Sequence, residues 1–258
     1  MATLESVLAD FPSSVPDQPE LVKMEREGDL VWLTISRVEV MNCLSFPTLK
    51  RFRSLLAELR EDLSIRCILI TGEGERAFCA GADLKERKSM DPELVPTFVM
   101  NIRRLMDDVE EMPQPTVAAI NGFAFGGGTE LMLACDLRIA TESARFGLTE
   151  VALAIIPGAG GTQRLPRLVG KSRAKDLILT GRRLQAAEAE TMITQAQLAD
   201  KYRCQTGRLH PRFGNGTLLS VALCRPSSEP QTPGDPEYLA CMALMIDALL
   251  GGYFRPIG

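Results

Sequence analysis

Residues 116–130 read TVAAINGFAFGGGTE, and the apolar run LMLAC follows at 131–135. A short apolar run, then glycines, then an apolar-periodic segment predicts a strand that turns into a helix. Glycines let backbone amides face a ligand with no side chain in the way, and a helix N-terminus favours negative charge. The stretch therefore predicts an oxyanion-binding turn at 126–128, between a strand and a helix.

Two glutamates accompany this turn. Glu130 lies one turn into the predicted helix, and Glu150 follows a second short apolar run. Glu130 stands between three glycines and LMLAC, which favours a buried functional carboxylate over a solvated or capping residue. Glu150 alone is a weaker signal, because Thr149 and Glu150 could form a helix cap. Two carboxylates near an oxyanion-binding turn indicate proton chemistry beside a carbonyl.

The composition bounds the class of protein. The chain has 258 residues, of which 45% are hydrophobic and 24% are charged, so it can bury a sizeable core. Its net charge of −4 argues against general nucleic-acid binding. The seven cysteines form no C-x-x-C pair, the first ten residues are acidic, and no apolar run approaches the roughly 20 residues that span a bilayer. We therefore expect no membrane partner and a cytoplasmic location, with the mitochondrial matrix possible in a eukaryote.

Strand and helix patterns alternate along the chain, which predicts an α/β fold with a largely parallel sheet. Three prolines among polar residues predict a mobile arm at 1–20. The core is expected at 21–192, starting with a hairpin around Gly28 and Asp29. Further strands are predicted at 67–71, 117–120 and 137–140, and helices at 47–62, 92–111, 127–135, 158–168 and 172–180.

Three motifs together resemble the crotonase family. They are AFCAGADLKER at 77–87, the glycine turn ending at Glu130, and PGAGGTQR at 157–164. More narrowly, the chain is similar to the enoyl-CoA hydratases, including the methylglutaconyl-CoA hydratase group, over roughly 21–189. The resemblance implies a crotonase-type ββα spiral with parallel sheets. It also implies C-terminal helices that build homo-trimers, often paired into hexamers.

The resemblance also implies a set of site residues. The catalytic pair falls on Glu130 and Glu150, and the two oxyanion-hole amides fall on Ala82 and Gly127. The CoA-binding positions implied by the motifs are Ala82, Asp83, Leu84, Lys85 and Gly127. No metal and no cofactor is expected, since CoA arrives as part of the acyl-CoA thioester substrate.

The activity implied is that of an enoyl-CoA hydratase, a lyase of fatty acid or branched-chain amino acid catabolism. It would add water to a 2-trans-enoyl-CoA and give a 3-hydroxyacyl-CoA. Family isomerases commonly use one carboxylate, so two favour hydration over Δ3,Δ2-enoyl-CoA isomerisation. A third alternative is a weakly catalytic RNA-binding paralogue using a basic helix face, Lys50, Arg51, Arg53 and Arg60. Acidic residues nearby favour a solvated face instead, so we expect no RNA partner.

The resemblance and the helical periodicity both end near Met192. Residues 193–258 are expected to be an atypical tail in place of the usual helical trimerisation region. Prolines and glycines between 210 and 236 predict loop or disorder, and a helical pattern returns at 237–250. A shifted reading frame, alternative splicing or a mispredicted gene end would each produce such a tail. If the tail is genuine, trimer formation and closure of the acyl pocket are in question.

Overall fold

The structure is a computed structural model that describes residues 3–192 and 216–217. Within these residues the strands are β1 (Val22–Glu27), β2 (Leu30–Ile35), β3 (Cys67–Gly72), β4 (Ala77–Cys79), β5 (Thr116–Ile120), β6 (Phe123–Phe125), β7 (Leu137–Thr141), β8 (Arg145–Gly147), β9 (Leu184–Gln185) and β10 (Gly216–Thr217). The helices are α1 (Leu4–Ala9), α2 (Phe46–Arg60), α3 (Leu84–Ser89), α4 (Val95–Glu110), α5 (Gly127–Ala134), α6 (Gly161–Val169), α7 (Lys171–Thr180) and α8 (Ala186–Met192). Short 3-10 helices span Pro19–Leu21, Val38–Val40 and Glu150–Leu153.

Two sheets form the core. The larger has the order β1-β2-β3-β5-β7-β10, and the smaller has the order β4-β6-β8-β9. The inner neighbours, from β2 through β7 and from β4 through β8, run parallel. The strands β1 and β2 form the predicted antiparallel hairpin, with Glu27 opposite Leu30. The predicted α/β fold with mostly parallel sheets is therefore confirmed.

Burial explains why the central strands read as apolar runs. All five residues of β5 are buried, and in β3 only Thr71 is partly exposed. Helices cover parallel strands on both faces, so such strands carry continuous rather than alternating apolar residues. The helix α2 begins at Phe46, one residue before its predicted start, and Ser45 caps it by accepting a hydrogen bond from the Thr48 amide at 3.3 Å.

Several helices differ from the sequence prediction, among them α3 and α4. The helix α4 starts at Val95 rather than at Pro92, and it has Pro96 in its first turn. Asp91 instead closes a turn before the helix, where its side chain accepts from the Glu93 amide at 3.0 Å. The short helix α3 was not predicted, since it has only six residues and none of them is buried.

The prediction of a mobile arm at 1–20 is wrong for most of its length. This segment contains α1 and packs Val7, Phe11 and Val15 against the core. The Asn101 side chain also donates to the Asp10 carbonyl at 3.1 Å. Apolar residues four apart along the segment outweigh its prolines, because each buries a side chain against α2 or its neighbours.

The predicted atypical tail, 193–258, lies outside the described residues except at 216–217. There β10 pairs antiparallel with β7, at a position predicted to be loop. No helix within the described ranges is long and apolar enough to cross a membrane.

Candidate active site

The glycine turn joins β6 to α5. Gly126 has a φ of 51°, which glycine adopts without steric cost, and its amide donates to the Gly147 carbonyl at 2.8 Å. The Thr129 hydroxyl lies 2.6 Å from the Ala124 carbonyl and accepts from the Gly147 amide at 3.1 Å. These hydrogen bonds hold the start of α5 against β8.

The backbone amides of Ala82 and Gly127 lie close together beside this turn. The position of Ala82 is set by hydrogen bonds of its neighbours to Leu44. The amide of Leu44 donates to the Gly81 carbonyl at 2.8 Å, and the amide of Asp83 donates to the Leu44 carbonyl at 2.9 Å. In this parallel bridge the Ala82 N–H points to the opposite side. A β-carbon built on Gly127 would lie 3.7 Å from the Ala82 nitrogen. The structure therefore brings Ala82 and Gly127 together, and neither amide donates to a group in the described part of the chain.

The Glu130 carboxylate is held by backbone amides of the segment that leads into α6. Its side chain is buried, at 2% exposure, and Oε1 accepts from the amides of Ala159 and Gly161, each at 2.8 Å. Burial raises the pKa of Glu130 above its ordinary value, and the two amide bonds and the Arg164 charge offset only part of that rise. The motif at 157–164 was recognised from sequence, but its amides were not recognised as partners of Glu130.

The Glu150 carboxylate lies on the other side of the glycine turn. A β-carbon built on Gly126 would lie 3.4 Å from Glu150 Oε1. Glu150 is 8% exposed, and no described group hydrogen-bonds to its buried Oε2. Burial, together with the charge of Glu130, raises the pKa of Glu150 to about 7, although a backbone hydrogen bond opposes the rise. A carboxyl group with this pKa can give or take a proton near neutral pH.

Arg164 fixes the loop that holds Glu130. Its guanidinium is largely buried and donates to the Ala159 carbonyl at 2.9 Å. It also donates to Glu110 at 3.0 Å and to Asp107 at 2.9 Å, which ties the loop to α4. Sequence reasoning missed this role, because Asp107 and Glu110 are more than 50 residues from Arg164. Their spacing of three residues places the two acids on one face of a helix, but it does not identify Arg164 as their partner.

Four of the five residues expected to line a CoA site, 82–85, lead into the start of α3. The Asp83 side chain caps this helix by accepting from the amides of Lys85 and Glu86, and it pairs with Arg37 at 2.9 Å. Burial would raise the pKa of Asp83, but these hydrogen bonds and the Arg37 charge hold it below its ordinary value. Leu84 and Lys85 are exposed, so their side chains remain free to contact a ligand.

The basic face considered for RNA does not exist as predicted. Arg53 is 2% exposed and donates to Asp108 at 2.6 Å and to Asn101 at 2.6 Å. Arg60 is also buried and donates to the Glu111 carbonyl at 2.7 Å. The expectation of a solvated face is wrong for the same reason, since two of its four cations are enclosed by the protein.

An apolar cavity of about 40 Å³ lies against α5. Its walls include Met132, Phe146, Leu165, Leu177 and Met192. Neither of the two buried glutamates lines it, but Thr129 and Gly147, which hold the glycine turn, do.

Similarity to known proteins extends over most of the described residues. A family model described as enoyl-CoA hydratase/isomerase matches residues 25–201, and a second, described as a domain of unknown function, matches 171–249. Mouse mitochondrial methylglutaconyl-CoA hydratase is 46% identical over 186 residues, which are 70% of this chain and 59% of that protein. Human mitochondrial enoyl-CoA hydratase domain-containing protein 2 is 48% identical over 160 residues, or 62% of this chain and 55% of that protein.

A solved structure gives the same result. The crystal structure of an enoyl-CoA hydratase from Bacillus anthracis superposes with a TM-score of 0.66 at 53% sequence identity, covering 67% of each chain. The similar proteins thus include mitochondrial and bacterial ones. The chain spans less than two thirds of the length of the curated relatives that it matches.

Proposed function

This chain belongs to the enoyl-CoA hydratase/isomerase family, and on that premise we propose that it adds water to a 2-trans-enoyl-CoA thioester to give a 3-hydroxyacyl-CoA. One observation carries the proposal. Two buried carboxylates, Glu130 and Glu150, flank one glycine turn, and burial raises the pKa of both. Such a pair supplies both a base and an acid at neutral pH.

The amides of Ala82 and Gly127 form the oxyanion hole in this proposal. The thioester oxygen gains negative charge when the β-carbon is attacked, because the electron pair of the C=C bond moves toward the carbonyl. Two preorganised N–H donors stabilise that enolate, and each is typically worth about 3 kcal/mol. Their proximity supports this assignment, as does the fact that neither amide donates to another group among the described residues.

The two glutamates divide the proton transfers. Glu130 acts as the base: it orients water and takes one proton as the water oxygen bonds to the β-carbon. Glu150 acts as the acid and delivers its proton to the α-carbon, which collapses the enolate. The pKa of Glu150 near 7 leaves a substantial fraction protonated at neutral pH, as an acid requires. One proton passed back from Glu130 to Glu150, directly or through solvent, restores the starting state.

The substrate's CoA part is assigned to the start of α3. Ala82, Asp83, Leu84, Lys85 and Gly127 are the proposed contacts, and the exposed Lys85 suits an anionic nucleotide. The absence of a metal or cofactor from the reaction, the catabolic pathway and the cellular compartment all remain predictions.

Crotonyl-CoA hydration, followed by loss of the enoyl absorbance, tests the activity. We expect wild type to be active, and both Glu130→Gln and Glu150→Gln to lose most of the rate. Loss with only one of the two substitutions, together with turnover of a 3-enoyl-CoA, would instead indicate the isomerase alternative. A folded wild type that acts on neither substrate would overturn the proposal.

We also propose that copies of the chain assemble, as a homo-trimer or a hexamer. The segment from Val151 to Ile156 is exposed along its whole length, and Ile156 is 75% exposed. Leu179 on the neighbouring α7 is 72% exposed. Exposed apolar residues next to one another mark an association surface. Light scattering on the purified chain measures the state, and an Ile156→Asp variant should weaken any assembly. A monomeric wild type would refute this proposal.

A further inference from the structure

Asn42 lies in an unusual backbone conformation beside the candidate site. It is fully buried, and its φ of 56° follows a φ of 55° at Met41. Two successive non-glycine residues in the left-handed region are uncommon, and Asn tolerates that region better than most residues. Such conformations persist only where surrounding contacts hold them in place.

The Asn42 side chain supplies those contacts. Its Oδ1 accepts from the Arg37 amide at 2.9 Å. Its Nδ2 donates to the Ala77 carbonyl at 2.7 Å and to the Glu73 carbonyl at 3.0 Å. The amide therefore holds the 37–42 turn against Glu73, just after β3, and against the start of β4, and it uses both of its N–H groups and its oxygen to do so.

The residues around Asn42 in turn hold the segment that carries Ala82. The Ala80 amide donates to the Met41 carbonyl at 3.0 Å. Further along the same two segments, Leu44 donates to the Gly81 carbonyl and accepts from the Asp83 amide. The backbone on both sides of Ala82 is thus bonded to 41–44, and the position of 41–44 is set by the Asn42 side chain.

We infer that Asn42 is a positioning residue that sets the direction of the Ala82 amide. The inference rests on the proposed function, since it requires that this amide receive the enolate oxygen. Asn42 itself touches no reacting atom. Its effect passes through the 41–44 and 80–83 backbones, which are joined by three hydrogen bonds.

The test is Asn42→Asp, which keeps the size of the side chain and replaces the donating nitrogen with oxygen. Gln114→Glu is the matched control. Gln114 is also a buried amide that donates to two carbonyls, those of Leu59 and Asp62, but it lies between α2 and β5. Asn42→Gly is measured in parallel, because glycine tolerates the left-handed backbone and removes the amide, should the Asp variant not fold.

Two readouts separate positioning from simple destabilisation. The first is crotonyl-CoA hydration: we expect kcat to fall at least about tenfold, short of the 10²–10³ for loss of a whole donor, with KM nearly unchanged. The second is bound acetoacetyl-CoA, whose enolate absorbs in the near ultraviolet. A weakened oxyanion hole should lower the bound enolate fraction in both Asn42 variants but not in Gln114→Glu.

The outcomes are distinguishable. If wild type ionises acetoacetyl-CoA and the folded Asn42 variants match the control in kcat and enolate fraction, the inference is wrong while the proposed function stands. If wild type neither hydrates crotonyl-CoA nor binds acetoacetyl-CoA as its enolate, the proposed function fails and the inference fails with it.

Discussion

The stability of Glu150→Gln relative to wild type should rise progressively as the pH rises. The pKa of Glu150 is raised from 4.5 to about 7 in the folded state, first of all by burial. Between these two values the folded state holds a proton that the unfolded state has released. The stability of wild type therefore falls as the pH rises through this window, because the folded state binds more protons.

The magnitude follows from the two pKa values. Their difference corresponds to roughly 3 kcal/mol of unfolding free energy, at 1.36 kcal/mol for each pKa unit. The carboxylate is only 8% exposed, so solvent screening reduces this figure little. A Gln amide at this place carries its own cost for an unpartnered buried polar group, about 1–3 kcal/mol. That cost does not vary with pH, so it cancels when the two proteins are compared at two pH values.

Urea unfolding of both proteins across the pH range measures the effect. The stability of Glu150→Gln relative to wild type should rise by about 3 kcal/mol from below pH 4.5 to above pH 7. The exposed Glu93→Gln controls for exchange of a carboxylate for an amide. Parallel stability curves for wild type and Glu150→Gln would refute the reasoning. The same variant should hydrate crotonyl-CoA poorly. The Glu150 carboxylate is therefore expected to lower the unfolding free energy at neutral pH while being required for the hydration rate.

Three further predictions concern other positions. Glu130→Gln should lower the hydration rate about 10²–10⁴-fold without loss of unfolding free energy at neutral pH, since the amide oxygen can still accept both loop N–H groups and burial raises the pKa of the carboxylate that it replaces. Glu130→Ala should lower the rate as well and be about 1–3 kcal/mol less stable than Glu130→Gln in urea unfolding. Equal stability of these two variants would contradict the loop assignment. Gly128→Ala should lower the unfolding free energy by about 3 kcal/mol or more in thermal unfolding, because its β-carbon would lie 1.8 Å from the Cys79 carbonyl oxygen. The control Gly158→Ala should be neutral, because no atom would lie nearer than 4.0 Å to its β-carbon. Arg53→Met should lower the unfolding free energy by about 3–5 kcal/mol by leaving its buried acidic partner unpaired, with activity per folded molecule unchanged; a loss under 1 kcal/mol would show that the ion pair contributes little.

Local signals were sufficient for the centre of the site. Three glycines between an apolar strand and an apolar helix specify the turn, and a lone Glu130 inside that helix indicates a buried carboxylate. The structure agrees on both points, with α5 starting at Gly127 and Glu130 buried. The partners of Glu130 were not predictable in the same way. The amides of Ala159 and Gly161 are about 30 residues distant, and backbone donors leave no mark in the sequence.

The wrong prediction for the basic helix face has the same origin. Arg53 looked like part of a solvated helix face, because nothing within the helix shows that Asn101 and Asp108 enclose it. Burial of a charge depends on a partner that is distant in sequence, and a window-based pattern contains no information about it. The N-terminal segment was different, since Val7, Phe11 and Val15 recur every four residues. That spacing indicates a buried face despite the nearby prolines, and all three side chains do lie in the core.

The order of strands in the larger sheet has a consequence for synthesis on the ribosome. From β1 to β7, each strand of this sheet lies beside the strand of the sheet that precedes it in the chain. A nascent chain can therefore add each strand to an edge that already exists, without waiting for later sequence. The surroundings of Glu130 cannot assemble this way, because its carboxylate finds both amide partners only after Gly161 has left the exit tunnel. A chain released before that point would have most of the large sheet but an unsupported Glu130.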